Sequence, residues 1–102
     1  MINMPFANKN NRITVKGFLT TDIMPDKSND FAITFDLKVA RPHEAGKKEF
    51  YDVFTIYVAD RQNIANCQAN LVKGMSVSVT GELRKWFDGT YKICVNKINP
   101  IW

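Results

Sequence analysis

Through most of this chain, apolar and polar residues change places at every second position. In "NRITVKGFLTTD" (11–22), Ile13, Val15, Gly17 and Leu19 alternate with Arg12, Thr14, Lys16 and Phe18, the period of a half-buried strand. "FAITFDLKVAR" (31–41) sets Phe31, Ile33, Phe35, Leu37 and Val39 against Ala32, Thr34, Asp36, Lys38 and Ala40. "FYDVFTIYVAD" (50–60) puts Phe50, Phe54, Ile56 and Val58 on the core side, with Asp52 among them. Its other face carries Tyr51, Val53, Thr55 and Tyr57, unusually aromatic for a side turned to water. "MSVSVTGELRKW" (75–86) points Met75, Val77, Val79 and Leu83 inward, and Ser76, Ser78, Thr80, Glu82, Arg84 and Trp86 outward. "YKICVNKI" (91–98) is the closing strand.

One segment breaks the alternation. In "DRQNIANCQANLVKG" (60–74), Ile64, Cys67, Leu71 and Val72 form one helical stripe, Asp60 suits an N-cap and Gly74 a C-terminal stop. The spacing predicts a short amphipathic helix over 61–73. Residues 23–30 and 42–49 carry Pro, Gly and Asp turn chemistry. Residues 1–10, rich in Asn, read as a flexible arm, and 11–102 as a single domain. Three strands, a helix and two strands is the order of the OB-fold, an all-β, five-stranded Greek-key barrel. The single short helix between its third and fourth strands would plug the open end.

The hairpin "GELRKWFDGTYK" (81–92) needs a register. A two-residue Asp88-Gly89 turn would pair Trp86 with Tyr91 and throw Ile93 and Val95 onto the polar face. A three-residue turn, Asp88-Gly89-Thr90, pairs Leu83 with Val95 and Phe87 with Tyr91 inside. It leaves Arg84, Trp86, Lys92 and Cys94 outside, and burial favours it.

Length and composition bound the rest. A chain of 102 residues is one domain with a modest core. Its net charge of +4 and pI near 9.2 lean weakly towards polyanions. No signal-like start or membrane-length apolar run occurs, and Cys67 and Cys94 lack metal spacing, so reduced thiols and a cytoplasmic location are expected. His43, the sole histidine, sits in a polar loop without a second ligand. Asp36, Asp52 and Glu82 are scattered, and no phosphate-cradling glycine loop is present, so neither enzyme, metal nor cofactor is expected.

What remains is the row of outward rings. Trp86, Tyr51 and Tyr57 could cover a subunit interface or lie over Lys and Arg stems. They could equally be platforms on which bases stack. A protein that grips any single strand needs rings interleaved with cations. Arg84, Lys85, Lys92, Lys38, Arg41, Lys47 and Lys48, with Arg12 and Lys16 on the first strand, provide that mixture as candidate phosphate contacts.

The segments "NRITVKGFLTTD", "FDLKVAR", "YDVFTIYVAD" and "NLVKGMSVSVTGELRKWFDGTYK" together resemble the bacterial and phage single-stranded DNA-binding proteins over about residues 11–98. In that family an N-x-[VI]-x-[LV]-x-G-x-L motif opens strand one, and a helix ending in Lys-Gly leads to G-x-L-x-x-x-x-W. The resemblance places Trp86 at the family's stacking Trp, and Tyr51 and Tyr57 at aromatic base contacts on strand three. It implies sequence-independent DNA binding in replication, repair or recombination by a homotetramer, with a homodimer as the alternative, and leaves single-stranded RNA open as a second ligand. Two departures stand out. The 42–49 loop has no aromatic residue, and the family's Gly- and Pro-rich linker and acidic tip, which recruit replication or recombination proteins, are missing. Against that family, the expectation is either a sequence cut short or a tail-less relative, as from a phage or mobile element. A primosomal replication-restart OB protein is the nearest alternative, and an OB domain used only for protein contacts is the one from another class.

Overall fold

Strand pairing closes the sheet on itself. The computed structural model describes residues 10–27, 31–42 and 45–101; nearly all of the expected arm at 1–10, His43 and Trp102 lie outside them. The elements are β1 (Ile13–Leu19), β2 (Met24–Pro25), β3 (Ile33–Ala40), β4 (Tyr51–Val58), α1 (Arg61–Asn70), β5 (Ser76–Lys85) and β6 (Tyr91–Pro100). The sheet runs β1-β5-β6-β4-β3, and β1 then meets β3 through Phe18↔Lys38 and Leu19↔Leu37. All pairs are antiparallel except β4 with β6. This is the five-stranded OB barrel with its one helix. The two-residue β2, within the connection after β1, adds a short edge to β3.

Alternation builds the core. Phe35, Leu37, Ile56, Val58, Val77, Val79 and Ile93 are fully buried, and Leu19 nearly so. Each is worth roughly 1.5–3 kcal/mol of transfer free energy. The helix closes one end through Cys67 and Leu71, with Ile64 packed alongside. Its N-cap is Asp60, whose carboxylate accepts from the Asn63 amide at 3.0 Å. Asn63 Nδ2 also donates to the Asn96 carbonyl at 3.2 Å, tying the first turn to β6.

The pattern misplaces residues at element ends. Phe31 and Phe50, expected in the core, are 87% and 55% exposed. The ladder starts at Ile33 and Tyr51, and residues beyond its last pair do not inherit its alternation. Ala32 is buried instead, its carbonyl accepting from the Asp26 amide. The helix ends at Asn70, short of the expected 73, because Leu71 turns extended (φ −102°, ψ 134°) to enter the core. Val72 is consequently left outside. Leu83 shares the inward side with its partner Ile93, yet remains partly exposed.

A bulge reconciles the two ends of β6. Val79 pairs with Ile98 and Thr80 with Lys97, but Gly81 pairs with Val95, so Asn96 is supernumerary. That extra residue lets Ile93, Val95 and Ile98 all point inward. Two glycines permit the close approaches. A Cβ at Gly17 would stand 2.2 Å from the Lys38 carbonyl oxygen, and one at Gly81 would stand 2.0 Å from that of Cys94.

Two outcomes are expected. Gly81→Ala must move β6 backbone, costing about 2–3 kcal/mol and lowering the melting temperature by roughly 10–20 °C; an unchanged thermal melt would contradict the bulge geometry. Burial pushes the Cys67 thiol up to about 11. An acid whose folded pKa is raised holds its stabilisation below its unfolded value of roughly 8.5 and loses it as pH climbs from there towards about 11. At pH 8, Cys67 in the folded chain should resist a maleimide that modifies it rapidly in urea, as peptide mass mapping would read out.

Candidate nucleic-acid interface

The outward face of β4 presents Tyr51, Val53, Thr55 and Tyr57 in a row. Across the β3 ladder these stand opposite Ala40, Lys38, Asp36 and Thr34; across β6, Thr55 meets Lys92 and Tyr57 meets Cys94. The row is about 20 Å long at strand rise, with a ring at each end.

At the Tyr57 end stands the β5–β6 hairpin. Its last ladder pair is Lys85↔Tyr91. Beyond it the Trp86 amide donates to the Thr90 carbonyl at 2.7 Å, and the Gly89 amide to the Trp86 carbonyl at 2.9 Å. The turn is thus three residues long, as expected, but is Phe87-Asp88-Gly89, one position early. Gly89 has φ 88°, the left-handed geometry that ends such a loop. Asp88 fixes the slip: its carboxylate accepts from the Thr90 amide and hydroxyl at 2.9 and 2.7 Å, which also holds its pKa below the usual range. Leu83 therefore pairs with Ile93 rather than Val95. Phe87 and Tyr91, expected to pair inside, are exposed. The slip preserves parity, so Arg84, Trp86, Lys92 and Cys94 keep the outer face.

Trp86 is half-buried against its neighbours. Its ring meets that of Tyr57 edge-on, with centroids 4.9 Å apart at 65°. Lys92 Nζ lies 4.6 Å from the Trp86 centroid and 5.8 Å from that of Tyr57, within cation–π range of both. The same ammonium pairs with Asp26 Oδ1 at 3.3 Å, and the side chains are only 17% and 3% exposed. Asp26 thus anchors Lys92, and Lys92 anchors the rings. A groove of about 460 Å³ opens beside them, bounded by Met24, Pro25, Thr34, Phe87 and Asp88.

At the far end, Lys38 Nζ lies 4.2 Å from the Tyr51 centroid and 5.8 Å from that of Phe18. The Tyr51 hydroxyl donates to Glu49 at 2.7 Å, a bond that raises its pKa. The sequence points to Phe18 only through its place with Thr14 and Lys16 on the polar side of β1, a signal that alternation alone does not single out.

The cations divide into two groups. Arg41 forks onto Asp52 with contacts of 2.6–3.0 Å, pulling the carboxyl below its usual range, and Arg84 pairs with Glu82. Lys92 belongs to Asp26. Lys16, Lys47 and Lys85 make no ion pair among the described residues, while Lys48 lies 5.8 Å from the Phe50 ring. Arg12 and Lys16 are exposed. Lys47 and Lys48 occupy the loop before Tyr51, at the opposite end of β4 from Trp86. Among the described residues no group of His, Cys, Asp and Glu could hold a metal ion, and no helix is long and apolar enough to cross a membrane.

Solved structures place this geometry. A small single-stranded DNA-binding protein from Streptomyces coelicolor superposes with a TM-score of 0.72 at 20% identity, over 92% of this chain and 96% of that one. The two chains share one barrel fold. The Plasmodium falciparum single-stranded DNA-binding protein, solved with ssDNA, gives a TM-score of 0.68 at 25% identity over 99% of this chain and 97% of its own. The dimeric N-terminal domain of PriB from Thermoanaerobacter tencongensis gives 0.62 at 20% identity, over 91% and 98%. No protein-family model and no curated protein sequence matches the chain. The likeness to the single-stranded DNA-binding barrels is therefore carried by structure.

Replacing Asp26 tests the anchor. Asp26→Asn strands the Lys92 ammonium in a mostly buried site and should cost about 3–5 kcal/mol, read as a lower urea midpoint. A midpoint equal to wild type would show that Lys92 and the rings are held without it.

Proposed function

We propose that the chain binds single-stranded DNA without reading its sequence, protecting it during replication, repair or recombination, with no chemical step of its own. The observation that carries this is the Trp86–Tyr57 pair, set beside Lys92 on the groove of an OB barrel whose structural relatives include a protein solved with ssDNA. Bases offer flat apolar faces and phosphates offer charge, so rings beside ammonium groups serve both halves of every nucleotide. Trp86, Tyr57 and Tyr51 act as stacking residues. Lys85, Lys38, Lys16, Lys47 and Lys48 meet phosphates directly, Lys92, Arg84 and Arg41 do so by exchanging a carboxylate for a phosphate, and Arg12 adds a further contact from the start of the first strand.

Several barrels joined in one particle would lengthen the track and raise affinity without new contacts. We assign a homotetramer, with a homodimer as the alternative, acting in the cytoplasm of a bacterial or phage-infected cell. A replication-restart role is the second reading, favoured by the PriB likeness.

Titration with oligo-dT tests the reading. Trp fluorescence should quench, and Trp86→Ala should weaken binding by about 1–3 kcal/mol with little change in melting. If the five lysines that meet phosphates directly each release a counterion, log affinity should fall with log salt at a slope of about −3.5. Light scattering on the same samples should exceed a monomer at tens of micromolar. Salt-independent binding without quenching would instead favour an OB domain used for protein contacts.

A further inference from the structure

We propose that Phe18 is a further base-stacking residue, forming with Lys38 and Tyr51 a second binding patch on the side of the barrel away from Trp86. This rests on the reading of the protein as a single-strand binder. The ring lies on the outward side of β1 and is 36% exposed, whereas its neighbour Leu19 is buried. Nothing in the core needs a phenyl ring there; the pairing at barrel closure sets Phe18 beside Lys38, and Lys38 beside Val53. One ammonium thus lies within 5.8 Å of Phe18 and 4.2 Å of Tyr51.

The arrangement repeats the chemistry of the other end, where Lys92 lies between Trp86 and Tyr57. There, however, Asp26 holds the lysine. Lys38 has no ion pair among the described residues, so its charge is available to a phosphate while its stem lies along the two rings. Lys16, two residues from Phe18 on the same outward side of β1, adds a second cation about 7 Å further along. Stacking surface and positive charge therefore continue from Tyr51 across β3 onto β1. A strand lying on Trp86 and Tyr57 can follow β4 for about 20 Å and then cross to Phe18. The occupant that fits is a nucleobase with its phosphate: an apolar flat face between two ammonium groups suits no purely apolar partner.

The experiment uses the full chain and labelled oligo-dT of graded length, followed by anisotropy. Phe18→Ala should weaken binding of long oligonucleotides about 5- to 100-fold and leave the shortest ones, which reach only the Trp86 end, unchanged. Phe18→Trp should bind at least as well as wild type, while Phe18→Leu, which keeps apolar bulk without a stacking face, should match the Ala variant. Melting curves of all three should stay close to wild type, since the ring is outside the core. Wild-type affinity in Phe18→Ala for every length, or full recovery in Phe18→Leu, would overturn the assignment alone. Failure of the wild-type chain to bind any oligonucleotide would overturn it together with the proposed function.

Discussion

Everything in this barrel depends on the closure between β1 and β3. Two residue pairs make it, and the missing side chain of Gly17 lets the strands come so close. Without that contact the sheet would have two long edges, and Leu19, Leu37 and Val77 would lose the shared interior that buries them. Closure also decides what the outside looks like. It sets Phe18 against Lys38 and carries the aromatic row of β4 onto a neighbouring strand. The constraint that shapes the core is therefore the one that assembles the outer surface.

Fold and face were legible in the sequence wherever the period of two ran inside a ladder. Phe35, Leu37, Ile56, Val77 and Val79 are inside, and Trp86, Tyr51 and Tyr57 outside, because successive side chains on a strand must take opposite sides. The reading failed at ends. Phe31, Phe50, Phe87 and Val72 lie where a turn or cap, rather than the repeat, sets the backbone, and Tyr91 is in the last pair of its ladder, at the open rim. Asp88 shows why: two hydrogen bonds from Thr90 moved the turn by one residue, a detail invisible to hydrophobic spacing.

The charges were legible as a composition but not as an arrangement. Lys92 and Asp26 are 66 positions apart, and only the closed barrel brings them together. Arg41 and Asp52 face each other across a loop, and Asp52 looked like an intruder on a core face until its partner was seen. Among the described residues, Arg41, Arg84 and Lys92 are thereby committed to carboxylates. The surface is less uniformly positive than the count of lysines and arginines suggests, and the proposed binding leans correspondingly more on the exposed and half-buried rings.

The bulge at Asn96 also says how this strand can change length through descent. Removing a ladder residue of β6 while the bulge is kept would exchange the faces of everything beyond it, driving Lys97 inward and Ile98 out, or the reverse. Asn96 is the exception, since its loss merely restores an unbroken ladder with Thr80↔Lys97 and Val79↔Ile98 intact. What would go with it is the carbonyl that receives Asn63 from the helix. Deleting that one residue would leave the pairing of the sheet whole and take from the plug its hydrogen bond to β6.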